Sequence, residues 1–196
     1  PGDWSLLREH IRLIIAGGNE EYFKWIMDWL ADLVQHPTKP KGSAIVLRGE
    51  RGVGKSIFGT AVGYILGECF QHITKSEQLI GKFNAHLENC LLILADESFW
   101  AGDKEGEGRL KGLITESQIT VERKHIDAQK MDNYLHFIFA SNSDWVVPAG
   151  EFERRFAVFD VSALHIQDDN YFAAILDQLG NGGYEAMLYD LLHREI

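Results

Sequence analysis

The sequence predicts an α/β fold, a central parallel sheet with a helical segment before it and short helices after it. Two observations carry that prediction. Four short apolar runs, at 44–47, 91–95, 135–140 and 156–161, have the continuous hydrophobicity of strands buried on both faces. The stretches that separate them are long enough to hold crossover helices, which parallel neighbours require.

The elements follow in chain order. Trp4, Leu7, Ile11 and Ile14 recur at helical spacing until Gly17-Gly18 stops the run. A second stripe through Tyr22, Ile26, Trp29 and Leu33 ends ahead of Pro37 and Pro40, where 37–42 reads as a linker. The first strand then leads into a helix expected at 57–66. Between 118 and 133 the chain alternates briefly and is dense in charge, which predicts an exposed β-hairpin. Near the C-terminus Asp168 or Asp169 is expected to cap a helix running to Leu179, the glycines of 180–183 to break it, and 184–192 to form another. The division expected is a helical segment at 1–40, a core at 41–166 carrying the hairpin, and helices at 167–196.

With 196 residues, 45% of them hydrophobic, the chain can build one sizeable core. Its 24% charged residues and 4 prolines exclude collagenous, low-complexity and disordered classes. Nineteen Lys and Arg against twenty-nine Asp and Glu leave a formal net charge of −10, so contact with nucleic acid has to come from a local basic strip. Cys69 and Cys90 form no C-x-x-C pair, and a reducing cytoplasm is expected. No apolar run approaches the roughly 20 residues of a membrane span. The chain opens on Pro1-Gly2 rather than Met, and is expected to be a piece of a longer protein.

Gly49-Glu50-Arg51-Gly52-Val53-Gly54-Lys55-Ser56 satisfies G-x-x-x-x-G-K-[ST] between the first strand and its helix, with Ile57 next. Glycines let successive backbone N–H groups close on phosphate oxygens, and the helix N-terminus adds its positive dipole end. Lys55 is then expected on the β- and γ-phosphates and Ser56 on Mg²⁺. The second apolar run ends in Asp96-Glu97, which assigns Asp96 to Mg²⁺ and Glu97 to the attacking water. These residues point to a nucleoside triphosphatase that uses Mg²⁺.

The third run ends in Ala140-Ser141-Asn142-Ser143, and Glu153-Arg154-Arg155-Phe156 opens the fourth. A strand ending in Asp-Glu, a Lys-bearing hairpin, a strand ending in Ser-Asn, and Arg before an aromatic strand together resemble the superfamily-3 helicases of viruses, phages and plasmids. The hairpin text Val121-Glu122-Arg123-Lys124-His125-Ile126 resembles the DNA-contacting hairpin of polyomavirus large tumour antigens. The wider pattern, with Gln35-His36-Pro37, Ala101-Gly102-Asp103-Lys104 and Leu110-Lys111-Gly112, looks most like phage primase-helicases and covers most of the chain. The resemblance implies a modified AAA+ P-loop core that assembles as a hexameric ring. It also implies ATP-driven 3′ to 5′ translocation on single-stranded DNA, opening of forked DNA, and a primase or polymerase domain in the same parent chain.

Residue roles follow from the same resemblance. Asn142 matches the polar sensor of the γ-phosphate or attacking water. Arg155 matches the arginine finger that a neighbouring subunit inserts, with Arg154 as a rival for that role. Lys124 and His125 match the hairpin tip facing the ring channel, and Arg123 and Lys130 extend the positive strip. Glu122 and Asp127 leave one copy weakly basic, while a sixfold ring multiplies it. Without the resemblance the hairpin reads as a solvated charged ribbon. Lys111 stays open between DNA, nucleotide, subunit contact and an ordinary exposed helix lysine.

Other signals carry less. His86-Leu87-Glu88 lacks the Pro-Cys-x-x-Cys of zinc deaminases, so zinc is not expected. His10, His72, His136 and His193 are expected in the core or at the surface. Phe99 and Trp100 are expected to pack under a loop rather than stack on bases, and polar, Gly-rich 102–108 to be a mobile loop. Two alternatives accompany the helicase. One is a nucleotide-gated ring that loads DNA or an initiator without unwinding. The other is a small P-loop kinase, disfavoured because no Arg-rich lid follows the loop.

Overall fold

Five parallel strands form the middle layer of the molecule, whose computed structural model describes residues 2–40, 42–96, 104–142 and 154–196. They are β1 (Ala44–Arg48), β2 (Phe70–Ile73), β3 (Leu92–Asp96), β6 (His136–Ser141) and β7 (Phe156–Asp160), in the spatial order β2-β3-β6-β1-β7. Every pairing between them is parallel, and Val46 of β1 sits between Phe139 of β6 and Val158 of β7. The four apolar runs thus become strands as expected. β2 is the addition. Gln71 and His72 make it too polar to read as a strand, and it lies at the sheet edge, where that polarity is tolerated.

Alternation along the strands gives the sheet two different faces. Ile45, Leu47, Leu92, Leu94, Ile138 and Ala140 meet the helices from both chain ends in one buried cluster. Val46, Ile93, Ala95, Phe137 and Phe139 meet the other layer in a second cluster. At roughly 1.5–3 kcal/mol for each large side chain buried, this two-sided burial is the main favourable contribution to the fold.

The first layer holds α1 (Ser5–His10), α2 (Glu20–Gln35), α3 (Lys55–Leu66), α6 (Asp169–Gln178) and α7 (Tyr184–His193). The helix expected from Trp4 changes its register partway, passing into a π-helical turn at Ile11–Ile15 that buries Ile11, Ile14 and Ile15 together. Asn19 caps α2 by accepting from Glu21 N–H and Tyr22 N–H at 2.9 and 3.1 Å, with Glu20 and Glu21 at its positive end. Asp168 caps α6 through Tyr171 N–H at 3.0 Å. The glycines of 180–183 break the helical run as expected. They kink it at Asn181 and Gly182. The two chain ends are laced together: Trp4 Nε1–H donates to Asp190 at 2.7 Å, and Gln178 bridges Leu6 N–H and Asp3.

The second layer holds α4 (Ser76–Ile80), α5 (Lys104–Thr115) and the hairpin of β4 (Gln118–Arg123) and β5 (Ile126–Asp132). The loop expected at 102–108 is corrected from residue 104 on, since Gly106 and Gly108 lie inside α5, while 102 and 103 lie outside the described residues. Each interior glycine costs about 1 kcal/mol. Burial of Leu110 and Ile114 against the sheet offsets that. A two-stranded hairpin is marginal alone. This one is bolted down by Asn84, whose side chain donates to Thr120 O at 2.9 Å and accepts from Glu122 N–H at 2.8 Å. Asn133 ties its far strand to the Leu113 and Glu116 carbonyls, both at 2.8 Å. No helix among the described residues is long and apolar enough to cross a membrane.

Candidate functional site

Because the strands run parallel, their C-terminal ends share one edge of the sheet. β1 ends at Arg48 and runs into the 49–56 loop, β3 ends in Asp96, and β6 is followed by Asn142. The register sets Asp96 and Leu47 on either side of Ala140, so these three chain segments are neighbours by construction.

The loop wraps around Lys55. Val53 is buried beneath it, and Gly52 and Gly54 take left-handed φ angles of +78° and +93°, which side-chain-bearing residues rarely adopt. Lys55 is only 6% exposed, and its Nζ donates to Gly49 O and Glu50 O at 2.6 Å each and to Asn142 Oδ1 at 2.9 Å. Ser56 Oγ donates to Asp96 Oδ2 at 3.0 Å. A cavity of about 220 Å³ opens here, bounded by Arg51, Gly52, Gly54, Lys55, Ser56, Ile57, Asp96, Asn142 and Phe172. A larger recess of about 590 Å³ lies at the hairpin root between α4, α5 and β4, but it holds none of the strand-end groups.

A buried ammonium with amide and carbonyl oxygens around it, at the N-terminus of α3, suits an anion that brings its own charge. Ser56 and Asp96 form an oxygen pair suited to a hard cation. Among the described residues no group of three or more His, Cys, Asp or Glu could hold a metal unaided. The Ser56 and Asp96 oxygens are of the number and kind that Mg²⁺ ordinarily takes from a protein, the rest of its shell coming from substrate phosphates and water.

The structure thus brings 49–57, Asp96 and Asn142 together. Glu97, Phe99 and Trp100 lie outside the described residues. Arg154 and Arg155 sit elsewhere: Ala44 N–H donates to Arg155 O at 2.7 Å, which places both arginines at the N-terminal end of β1 and β7. At about 3.3 Å per residue along β1, that is over ~13 Å from the loop of the same chain. Lys124 and His125 form the exposed hairpin tip, where His125 has a left-handed φ of +64° and Lys124 Nζ lies 5.9 Å from the centre of the Phe83 ring. Lys130 is exposed on β5, opposite Thr120. Arg123 is engaged within the protein, in an ion pair with Glu88 and a bond to Gln129 at 3.1 Å. Lys111 pairs with Glu107 at 2.5 Å on α5.

Sequence reasoning missed four residues at the site. His72, on the edge strand, brings Nε2 within 3.4 Å of Asp96 Oδ2. Phe172 of α6 walls the cavity. His10 of α1 lies against the Gly54 carbonyl at 3.3 Å and the Tyr171 hydroxyl at 3.1 Å. Burial pushes the His10 imidazole down to about 4 and the Tyr171 phenol up to about 12. The stripe from Trp4 to Ile14 passes over His10, and α6 shows in the sequence only through its Asp cap and the glycines after it, so no spacing marks these residues for the site.

The family model described as a family of unknown function (DUF5906) matches residues 47–155. Among curated proteins, the DNA primase-polymerase of Nitratiruptor phage NrS-1 is 27% identical over 137 residues, covering 68% of this chain and 19% of that protein. Among solved structures, the apo NrS-1 C-terminal region matches all of this chain and 47% of its own, with a TM-score of 0.86 at 21% identity. A second, A-form apo structure of that region matches with a TM-score of 0.79 at 20% identity. These structural likenesses establish the fold. The chain spans less than half the length of the relatives it matches.

Proposed function

The chain belongs to the DUF5906 family, and on that footing we propose that it is the ATP-hydrolysing motor of a phage-type DNA replication protein, acting as a superfamily-3 helicase with a modified AAA+ P-loop core. The observation that carries the reading is the convergence of Lys55, Ser56, Asp96 and Asn142 on one cavity at the strand ends. Similarity to a phage primase-polymerase supports the setting in DNA replication.

In this reading the loop's N–H groups and Lys55 bind the triphosphate, and Ser56 Oγ and Asp96 hold Mg²⁺. An ion held by Ser56 and Asp96 would supply neutralisation of the charge that develops on a transferred phosphoryl group. Asn142, bonded to Lys55 at 2.9 Å, is positioned to orient the γ-phosphate or the attacking water, with Glu97 as the base. Arg155, or its neighbour Arg154, is remote from its own loop and acts on an adjacent subunit's, a contribution of roughly 10³–10⁵ in rate where such fingers have been removed. Lys124 and His125 contact the phosphates and bases of one strand of DNA, and hexameric assembly multiplies that contact.

The test is ATP hydrolysis at high protein concentration with and without single-stranded DNA, alongside opening of a forked duplex. DNA-stimulated hydrolysis that Lys55→Ala abolishes is expected, and unwinding lost with paired Lys124→Ala and His125→Ala changes. Hydrolysis indifferent to DNA, with no unwinding, overturns the motor and leaves the loading ring.

A further inference from the structure

Two carbonyl groups of the 49–56 loop are held from outside by segments from opposite ends of the chain. Gln167 N–H donates to Gly52 O at 3.0 Å, and His10 Nε2 lies 3.3 Å from Gly54 O. A carbonyl only accepts, so Nε2 carries the hydrogen, and in the neutral ring Nδ1 then accepts from the Tyr171 hydroxyl at 3.1 Å. Complete burial of His10 keeps the ring neutral. Tyr171 is itself fixed, because its ring stacks on His165 at 3.8 Å and His165 pairs with Asp168 at 3.0 Å.

We propose that His10 is a positioning residue for the phosphate loop, one that orients the Gly54–Lys55 peptide from outside while Tyr171 fixes the tautomer that does so. This rests on the reading of the loop as a nucleoside triphosphate site. In a planar trans peptide the C=O and the following N–H point in opposite directions, so anchoring Gly54 O aims Lys55 N–H the other way, toward the anion. Gly54 O also accepts the first bond of α3 from Phe58 N–H at 3.2 Å, and His10 takes its second lone pair. The Gln167 bond does the same for the Gly52–Val53 peptide. The glycine is part of the device: a Cβ at Gly54 would sit 2.5 Å from His10 Cε1 and 2.8 Å from Phe172 Cε1.

The experiment is a titration with fluorescent mant-ATP and Mg²⁺, paired with thermal unfolding of each variant. His10→Met fills similar volume without a donor, His10→Gln returns an N–H donor near the Nε2 position, and Tyr171→Phe removes only the hydroxyl. His10→Met is expected to bind roughly tenfold more weakly, the scale of one well-placed hydrogen bond, with His10→Gln recovering most of the loss. Tyr171→Phe is expected to lose affinity a few-fold, with an unfolding midpoint lowered by only a few degrees so that the folded protein is still what is titrated. No binding by the wild-type protein overturns the nucleotide reading itself. Wild-type binding that His10→Met leaves unaltered, or a Gln variant as weak as the Met variant, overturns the positioning role alone. Should His10→Met fail to fold, Tyr171→Phe decides, and undiminished affinity there rejects the proposal.

Discussion

Replacing Gly54 by Ala applies two separable strains to the 49–56 loop. The first is conformational: φ at Gly54 is +93°, a left-handed value that costs an L-residue about 1–2 kcal/mol. The second is steric, since the new methyl group would lie 2.5 Å from His10 Cε1, 2.7 Å from His10 Nε2 and 2.8 Å from Phe172 Cε1. Those contacts belong to packed rings with little freedom to retreat, and overpacking of this kind costs about 1–3 kcal/mol. The total is about 2–5 kcal/mol, which at roughly 2–4 °C per kcal/mol for a domain of this size lowers Tm by roughly 4–20 °C. Gly18→Ala provides the control, because Gly18 also has a positive φ, +76°, but a methyl group added there would meet nothing within 4 Å. Thermal unfolding followed by circular dichroism, with urea midpoints as a check, measures both variants. Equal losses for the two would refute the claim that α1 and α6 press on the loop. A Gly54→Ala, His10→Ala double variant is expected to lose less than the sum of its parts, because the second change makes room for the first.

Two further outcomes are expected. His10 holds its folded-state value at about 4 against 6.5 when unfolded, so between those values only the unfolded chain takes up the proton, and stability falls as pH falls through that window. The loss approaches about 3 kcal/mol by pH 4. Urea midpoints at pH 7 and pH 4.5 are expected to differ less in His10→Met than in wild type, and equal differences would refute the assignment. At the hairpin tip, His125→Gly relieves a left-handed φ of +64° and is expected to raise Tm by about 1–3 °C. The same change is expected to weaken single-stranded DNA binding in a filter or anisotropy assay, and a lower Tm would show that the turn is not strained.

The sheet was legible because its signal is local and redundant. A strand buried on both faces leaves an unbroken apolar run, and 44–47, 91–95, 135–140 and 156–161 each do so. Strand β2 escaped for the opposite reason, as an edge strand needs only one apolar face and Phe70-Gln71-His72-Ile73 barely shows it. Helix α5 escaped because its glycines outweighed, to the eye, the Leu110 and Ile114 that bury it. At the site, the loop, Asp96 and Asn142 were legible since each stands at the end of a readable strand. His10, His72 and Phe172 were not, because what brings them to the loop is tertiary packing, which leaves no spacing in the chain. Arg123 shows the converse: a residue read from its place in a basic strip turns out to be held by Glu88, which lies 35 positions away.

The two-ended grip on the 49–56 loop has a consequence for the order of events during synthesis. His10 is 44 positions from Gly54, but Tyr171 is 161 positions from His10. A chain emerging from the ribosome therefore has the motif and its α1 contact long before it has the hydroxyl that sets the imidazole's tautomer, or Gln167. Such long-range closures come late because their entropy cost precedes their reward. The loop acquires its final curvature only when the last helices dock, so competence to hold a ligand there reports that the chain has been made and folded through α6.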